Sequence, residues 1–323
     1  MSSAGNFLSI DTALPLRGAR ILVTGASGFI GNHLARQAIG AGLDLHVLAR
    51  RPLDMPSTTI HLADLRDRSA VSAAIKSAQP DIVLNLASPG VAFGTADFQE
   101  MVSALVLGAE ALLSACSELP GPVHVVHVGT GFEYSDCDRP LLENDPVIPS
   151  ASRYGAAKAA ASALVGGFRG ILPITLLRPF NIYGAGDTAP RLAQFIVASA
   201  RRGEPIKVSP CEQVRDFLHV DDFCRLAWLA AQRPPAANEL FVCNAGSGEP
   251  RPLRDYVEAL AIALRAKGLH AQPEIGALPY RPGEPMLAVP DLARLRAAYD
   301  WQAQVSLADG VADYVEWELA RCA

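Results

Sequence analysis

Tyr154 and Lys158 stand four residues apart in Tyr154-Gly-Ala-Ala-Lys158. On a helix that spacing puts both side chains on one face. An ammonium beside a phenol favours the phenolate, so the pair predicts a tyrosine whose acidity is drawn from its usual pH ~10 toward the range where protons exchange with a carbonyl or an alcohol. The chain has seven tyrosines, and such a pair also arises without function, so position has to carry the argument. The pair follows an apolar run, 123–128, whose exit presents Thr130. A hydroxyl there can hydrogen-bond a reacting oxygen, or it can be an ordinary turn hydroxyl.

A second cluster lies near the start, in Gly25-Ala-Ser-Gly28-Phe-Ile-Gly31. It joins a short apolar strand, 19–24, to a run of helical spacing, 33–42, and a second strand, 43–49, which together make a βαβ unit. Gly25, Gly28 and Gly31 leave no Cβ where the backbone turns, where a pyrophosphate approaches and where helix meets strand. The helix would aim its free amides and positive end at the phosphates. The reading is dinucleotide binding. The second strand ends Val47-Leu-Ala49-Arg50-Arg51. Ala49 stands where an acid would pair with a ribose hydroxyl, and the two arginines can grip a 2′-phosphate, which favours NADP. NAD is the alternative if the arginines are only solvated or Asp54 serves as the acid. Asp64 either accepts from the adenine amine or caps the next helix.

These residues need a frame. Further strands at 59–62, 82–87, 123–128 and 174–178 alternate with helical stretches at 68–77, 98–119 and 152–168. The alternation predicts an α/β protein, a doubly wound, mostly parallel sheet of Rossmann type covered on both faces. Beyond Arg178 the pattern loosens into helices at 191–202, 221–232, 252–267 and 292–299 with frequent prolines. That suits a smaller mixed lobe closing the crevice beyond the strand ends. The expected division is a dinucleotide-binding domain over 18–180 and a substrate lobe over 181–323. The run Phe241-Val-Cys-Asn244 is strand-like and can return to the large sheet.

Composition narrows the partners. Half of the 323 residues are hydrophobic and 19% are charged, enough apolar surface for a folded core. A formal charge of −5 offers no broad cationic surface for nucleic acid or an anionic membrane. Cys116, Cys137, Cys211, Cys224, Cys243 and Cys322 show no zinc-type spacing and read as reduced packing residues. His124 and His127 should leave opposite faces of a strand, so no metal is expected. No stretch approaches ~18 uninterrupted apolar residues, and 1–11 lack the basic-then-apolar order of a secretion signal, so the expectation is a cytoplasmic protein.

Thr24-Gly-Ala-Ser-Gly-Phe-Ile-Gly31, Asn85-Leu-Ala87, Thr130 four residues before Tyr134, and Tyr154-Gly-Ala-Ala-Lys158 resemble the extended short-chain dehydrogenase/reductase family. Leu177-Arg-Pro-Phe-Asn-Ile-Tyr-Gly184, Arg215-Asp-Phe-Leu-His-Val-Asp-Asp222 and Arg281-Pro-Gly-Glu284 resemble its nucleotide-sugar epimerase/dehydratase branch. The likeness runs over nearly the whole chain apart from 1–16. It implies a Thr130/Tyr154/Lys158 triad and a nucleotide-diphosphate sugar as substrate. Expected cofactor contacts extend to Ser27, Phe29, Ile30, Leu65, Leu86, Ala87, Ser88 and Pro179. Asn181, Arg191, Arg215 and Arg281 are expected at the substrate. Read alone, Arg215 could instead pair with Asp216, Asp221 or Asp222, and Arg281 could be a loop charge. One departure is Leu105, where the family often has an Asn supporting the lysine.

The family's reactions differ in what surrounds the triad. Two residues after Thr130 stands Phe132, where the resemblance implies Glu in dehydratases and decarboxylases and Cys in a branch of epimerase-reductases. A phenyl ring moves no proton. Glu133, in an extended segment, would point to the other face. Two reactions need only hydride and one tyrosine proton, namely 4-keto reduction and 4-epimerisation. The arginine pair selects the first: NADPH-dependent reduction of a nucleotide-diphosphate 4-keto-6-deoxyhexose. An NAD-dependent 4-epimerase is the alternative, and a non-catalytic cofactor-sensing protein is a third. The apolar helices 98–119 and 152–168 form a four-helix dimer contact in related proteins, so a homodimer is expected.

Overall fold

A computed structural model describes residues 16–88, 97–149, 152–236 and 239–322. The lead before Leu16, including the segment read for a secretion signal, lies outside the described residues.

Seven short apolar strands form the scaffold: β1 (Arg20–Thr24), β2 (Asp44–Ala49), β3 (Thr58–Leu62), β4 (Ile82–Asn85), β5 (His124–Val128), β6 (Ile174–Pro179) and β11 (Leu240–Ala245). They lie in the order β11-β6-β5-β4-β1-β2-β3, every pairing parallel. Such a sheet must be covered on both faces. Helices α1 (Phe29–Gly40) and α7 (Val220–Gln232) supply Leu34, Phe223 and Trp228 to the core on one face. On the other, α2 (Arg68–Ala78), α4 (Gly108–Ser117) and α5 (Arg153–Gly166) bring Val71, Leu112 and Val165. Chain order reverses between β1 and β4, and the crevice beyond their carboxyl ends is where this sheet type takes its ligands.

The chain does not divide at one point. It leaves the sheet after β6, returns with α7 to cover one face, and returns again as β11 beside β6. The smaller lobe is built from what lies between and after these returns. Its core packs α6 (Leu192–Arg202), α8 (Leu253–Ala266) and α10 (Leu307–Arg321) through Ile196, Leu260 and Val311. A small sheet in the order β12-β9-β14 (Arg251–Pro252, Val214–Arg215, Leu287–Ala288) edges it.

Three features depart from the expected elements. The helix expected over 98–119 is α3 (Phe98–Val102), a π-helical segment (Ser103–Leu107) and α4 in succession. By length and composition this run, Phe98–Ser117, is apolar enough to cross a membrane, but Glu100 and Glu110 interrupt it and half of it is buried inside the protein. Helix α10 is an addition to the expected set. Its signals were present in Ser306, whose hydroxyl accepts from the Asp309 amide, and in the spacing of Val311, Tyr314, Val315 and Glu318 on the buried face.

Trp228 is fully buried, and its indole N–H donates to Gln37 Oε1 at 2.9 Å, tying α7 to α1. Trp228→Ala is expected to cost about 3–5 kcal/mol of unfolding free energy, read as a lower midpoint in urea.

Candidate active site

The glycine loop is close-packed. Gly25 has φ +76°, and a Cβ on it would stand 2.9 Å from the Ala87 amide nitrogen and the Leu86 carbonyl carbon. A Cβ on Gly31 would collide with the Gly25 carbonyl. Gly28 opens α1 with no side-chain cap, so the amides of the first turn point free out of the sheet end. These residues fit a dinucleotide pyrophosphate, because the cradle exists only without side chains and no side chain caps the amides that open α1. Beneath it runs a buried chain of hydrogen bonds. The Ala87 amide donates to Thr24 Oγ1 (3.2 Å), Thr24 Oγ1 to Asn85 Oδ1 (2.7 Å), and Asn85 Nδ2 meets His127 Nδ1 (2.9 Å). Burial and the nearby Lys158 push His127 down to about 3, so the imidazole is neutral. His124 faces the other side of β5, against Thr175 and the Ala231 carbonyl.

At the end of β2, Arg50 is mostly exposed and lies 3.9 Å from Glu100, Arg51 and Asp54 are exposed, and Arg66 holds both oxygens of Asp64 (3.0 and 2.7 Å). That pairing keeps Asp64 below the ordinary carboxylate range. Asp64 is not the helix cap. The cap of α2 is Asp67, which accepts from the amides of Ser69 and Ala70. Leu65 packs against Gly108 at the start of α4, and Pro179 ends β6 opposite Ala245.

Thr130 leaves the carboxyl end of β5, where Lys158 also reaches, and α5, which carries Tyr154 and Lys158, packs against the turn that follows. Residues Gly131–Glu133 are a 3-10 turn rather than extended chain. Thr130 opens it, accepting the Phe132 amide (3.4 Å) with its hydroxyl. Helix α5 is capped by Ser152, which accepts from the Gly155 amide at 3.0 Å. Gly155 is there because a Cβ would collide with the Phe132 carbonyl. The turn and the first helical turn are thereby locked together, with the Phe132 ring 47% exposed. Glu133 turns inward and is wholly buried. Its Oε2 accepts from Arg178 Nε at 2.8 Å, and its Oε1 accepts from the Thr130 amide at 2.8 Å.

The expected action of Lys158 on Tyr154 is corrected here. Lys158 Nζ is buried and donates to the Val128 carbonyl at 2.7 Å. Burial lowers it to about 8, with Glu133 opposing. The Tyr154 phenol is raised by desolvation, against the Ser88 hydroxyl and the field of Arg191, which pull it down. The cation whose field lowers the phenol is Arg191, which pairs with Asp187 at 3.2 Å. Leu105, on the π-helical segment, packs with Ala157, Ala161 and Tyr154 where an amide was absent from the sequence.

Across the crevice, Arg215 pairs with none of the three aspartates considered for it. It lies 3.7 Å from Glu284 and donates to the Val214 and Pro285 carbonyls. The backbone amide of Arg281 donates to Glu284 at 3.4 Å, so one loop gathers both arginines while the Arg281 side chain stays exposed. Asn181 donates to the Asp216 carbonyl at 3.0 Å. Glu133 and Arg178 were not singled out as site residues, although Thr130-x-x-Glu133 is a legible capping box.

The model of the NAD dependent epimerase/dehydratase family matches residues 21–246. A probable UDP-glucuronate 4-epimerase of Rhizobium meliloti is 26% identical over 92% of this chain and 96% of its own. A dTDP-6-deoxy-L-talose 4-dehydrogenase (NAD(P)(+)) of Kitasatospora kifunensis is 31% identical over 75% of this chain and 78% of its own. The structure of MoeE5 in complex with UDP-glucuronic acid and NAD superimposes with a TM-score of 0.81 at 28% identity, covering 93% of this chain and 99% of that one. Gly31→Ala is expected to abolish dinucleotide binding while the protein remains folded, because only the loop must move to admit the methyl group; NADPH and NADH fluorescence titrations check it.

Proposed function

We propose that this chain, which belongs to the NAD dependent epimerase/dehydratase family, reduces the C4 ketone of a nucleotide-diphosphate 4-keto-6-deoxyhexose with NADPH. One observation carries the reading. The turn after β5 offers the cleft a hydroxyl and a phenyl ring, while its carboxylate, Glu133, is buried on Arg178. Elimination or 3,5-epimerisation, which move a proton at carbon, would need a second acid or base at that turn. Reduction needs a hydride and one proton.

A nicotinamide dinucleotide, held by the glycine loop, would supply the hydride that the ketone carbon takes up. Thr130 holds the ketone oxygen by its hydroxyl. Tyr154 gives that oxygen its proton, and a phenol raised by desolvation is in the protonated state a donor requires. Lys158, charged below about pH 8, holds the nicotinamide ribose. Arg215, Arg281 and Asn181 take the sugar nucleotide, the guanidinium forks suiting diphosphate oxygens, and Arg191 lies on the tyrosine side. The Kitasatospora relative is named for dehydrogenation at C4 of a dTDP-6-deoxysugar with either dinucleotide, which is this reaction written in reverse. NADP is favoured over NAD by Arg50 and Arg51, which no acid at Ala49 opposes. A second reading, 4-epimerisation with retained NAD, is supported by the name of the Rhizobium relative and by the NAD beside UDP-glucuronic acid in MoeE5.

The same reading takes the protein as a cytoplasmic homodimer. Ala156, Ala160 and Ala163 form an exposed smooth face on α5, and Leu107 is exposed nearby in sequence to α4.

Tyr154→Phe should reduce turnover of a 4-keto-6-deoxy nucleotide sugar by at least ~10²-fold while leaving NADPH binding intact; an undiminished rate overturns the assignment. Arg50→Ala should weaken NADPH far more than NADH in fluorescence titrations, and equal weakening would favour the epimerase.

A further inference from the structure

Two hydrogen bonds pin the last turn of backbone at the end of β5, and groups of opposite charge make them. The Val128 carbonyl accepts from Lys158 Nζ at 2.7 Å, and the Thr130 amide donates to Glu133 Oε1 at 2.8 Å. Gly129 lies between. A Cβ there would collide with Glu133 Oε1, so the carboxylate occupies the space a side chain would fill. We propose that Glu133 is a positioning residue of the active site, holding the Thr130 turn and supplying the buried countercharge opposite Lys158. The proposal rests on the reading of Thr130 and Lys158 as working residues.

Among the described residues the surroundings leave Glu133 alone in that role. The titratable groups there that act on Lys158 or feel its charge are neutral His127 from β5 and Glu133 from the turn. Only Glu133 is anionic among them. It is held in turn by Arg178, which also donates to the Tyr134 hydroxyl at 2.9 Å, and that hydroxyl donates to Asn244 at 2.7 Å. The carboxylate is thus clamped between β6, β11 and the catalytic turn. Burial lifts it above the ordinary carboxylate range, while Arg178, the Ser162 hydroxyl, the Thr130 amide and Lys158 all pull it down. Burial drives the Lys158 ammonium toward its neutral form, and a fixed carboxylate is what opposes this.

The chain has four lysines, Lys76, Lys158, Lys207 and Lys267, so labelling the lysine ε-carbon with 13C gives four signals, and Lys158→Met identifies the one of interest. The full chain is titrated without cofactor or substrate. Glu133→Gln keeps an acceptor for the Thr130 amide and removes only the charge, and it should lower the Lys158 midpoint from about 8 by about one unit or more. Arg178→Lys keeps a cation on the carboxylate and should not lower it. An unchanged midpoint in folded Glu133→Gln, or an equal fall in Arg178→Lys, would overturn the proposal. If Glu133→Gln alone does not fold, Glu133→Gln/Arg178→Gln, which removes both charges and leaves an amide at each position, is compared with Arg178→Lys: a lower midpoint supports the proposal and an equal one sinks it. No turnover enters this measurement, so its failure leaves the reductase reading untouched, and an inactive enzyme leaves the titration interpretable.

Discussion

A strand end with no neighbour beyond it exposes backbone groups that must find partners, and at β5 those partners are buried ions. Lys158 takes the Val128 carbonyl and Glu133 takes the Thr130 amide. An ion removed from water is tolerated only where hydrogen bonds and an opposite charge replace its hydration. The arrangement therefore ties three things together: the direction of the Thr130 hydroxyl, the charge of Lys158, and the inward turn of the one carboxylate in the loop. The last of these leaves Phe132 as the exposed side chain of the turn, the feature on which the proposed reading of hydride and a tyrosine proton rests.

The dinucleotide cradle is built by the opposite device, the removal of side chains. Gly25 must adopt a positive φ and come within contact of the Leu86–Ala87 peptide, and Gly31 must let α1 lie on the loop. Both are consequences of packing a helix start against two adjacent parallel strands. The buried line Thr24, Asn85, His127 then crosses β1, β4 and β5 beneath the cradle, so the floor of the site is a hydrogen-bonded layer with a neutral histidine at its end.

The two lobes share chain rather than meeting as separate blocks. Helix α7 belongs to the sheet, and its first residues carry Asp221, which meets His33 on α1 at 3.1 Å. The same His33 meets the Ala185 carbonyl at 2.7 Å. The segment leading to Arg191 is in this way moored to the helix that begins the phosphate loop. Asp216 and Asp222, candidates for pairing with Arg215, instead satisfy backbone amides at Ser247 and Gly248 and at Gln304 and Val305. Arg215 is left to Glu284 at 3.7 Å and to the Val214 and Pro285 carbonyls.

What the sequence by itself determined were the features whose cause is local. Alternating apolar strands and helical runs, the glycine spacing at residues 25, 28 and 31, and Tyr154 with Lys158 at one helical turn are each dictated by backbone geometry within a few residues, and each was legible. The π-helical segment, the two- and three-residue strands of the smaller lobe, and the partner of Arg215 depend on residues far away in the chain. So does the electrostatic character of the site. Helical spacing put Lys158 on the face of Tyr154, but only tertiary packing decided that its ammonium would turn to Val128 and that desolvation, opposed by Ser88 and Arg191, would raise the phenol. A charge acts through the medium around it, and the medium is made by the whole fold.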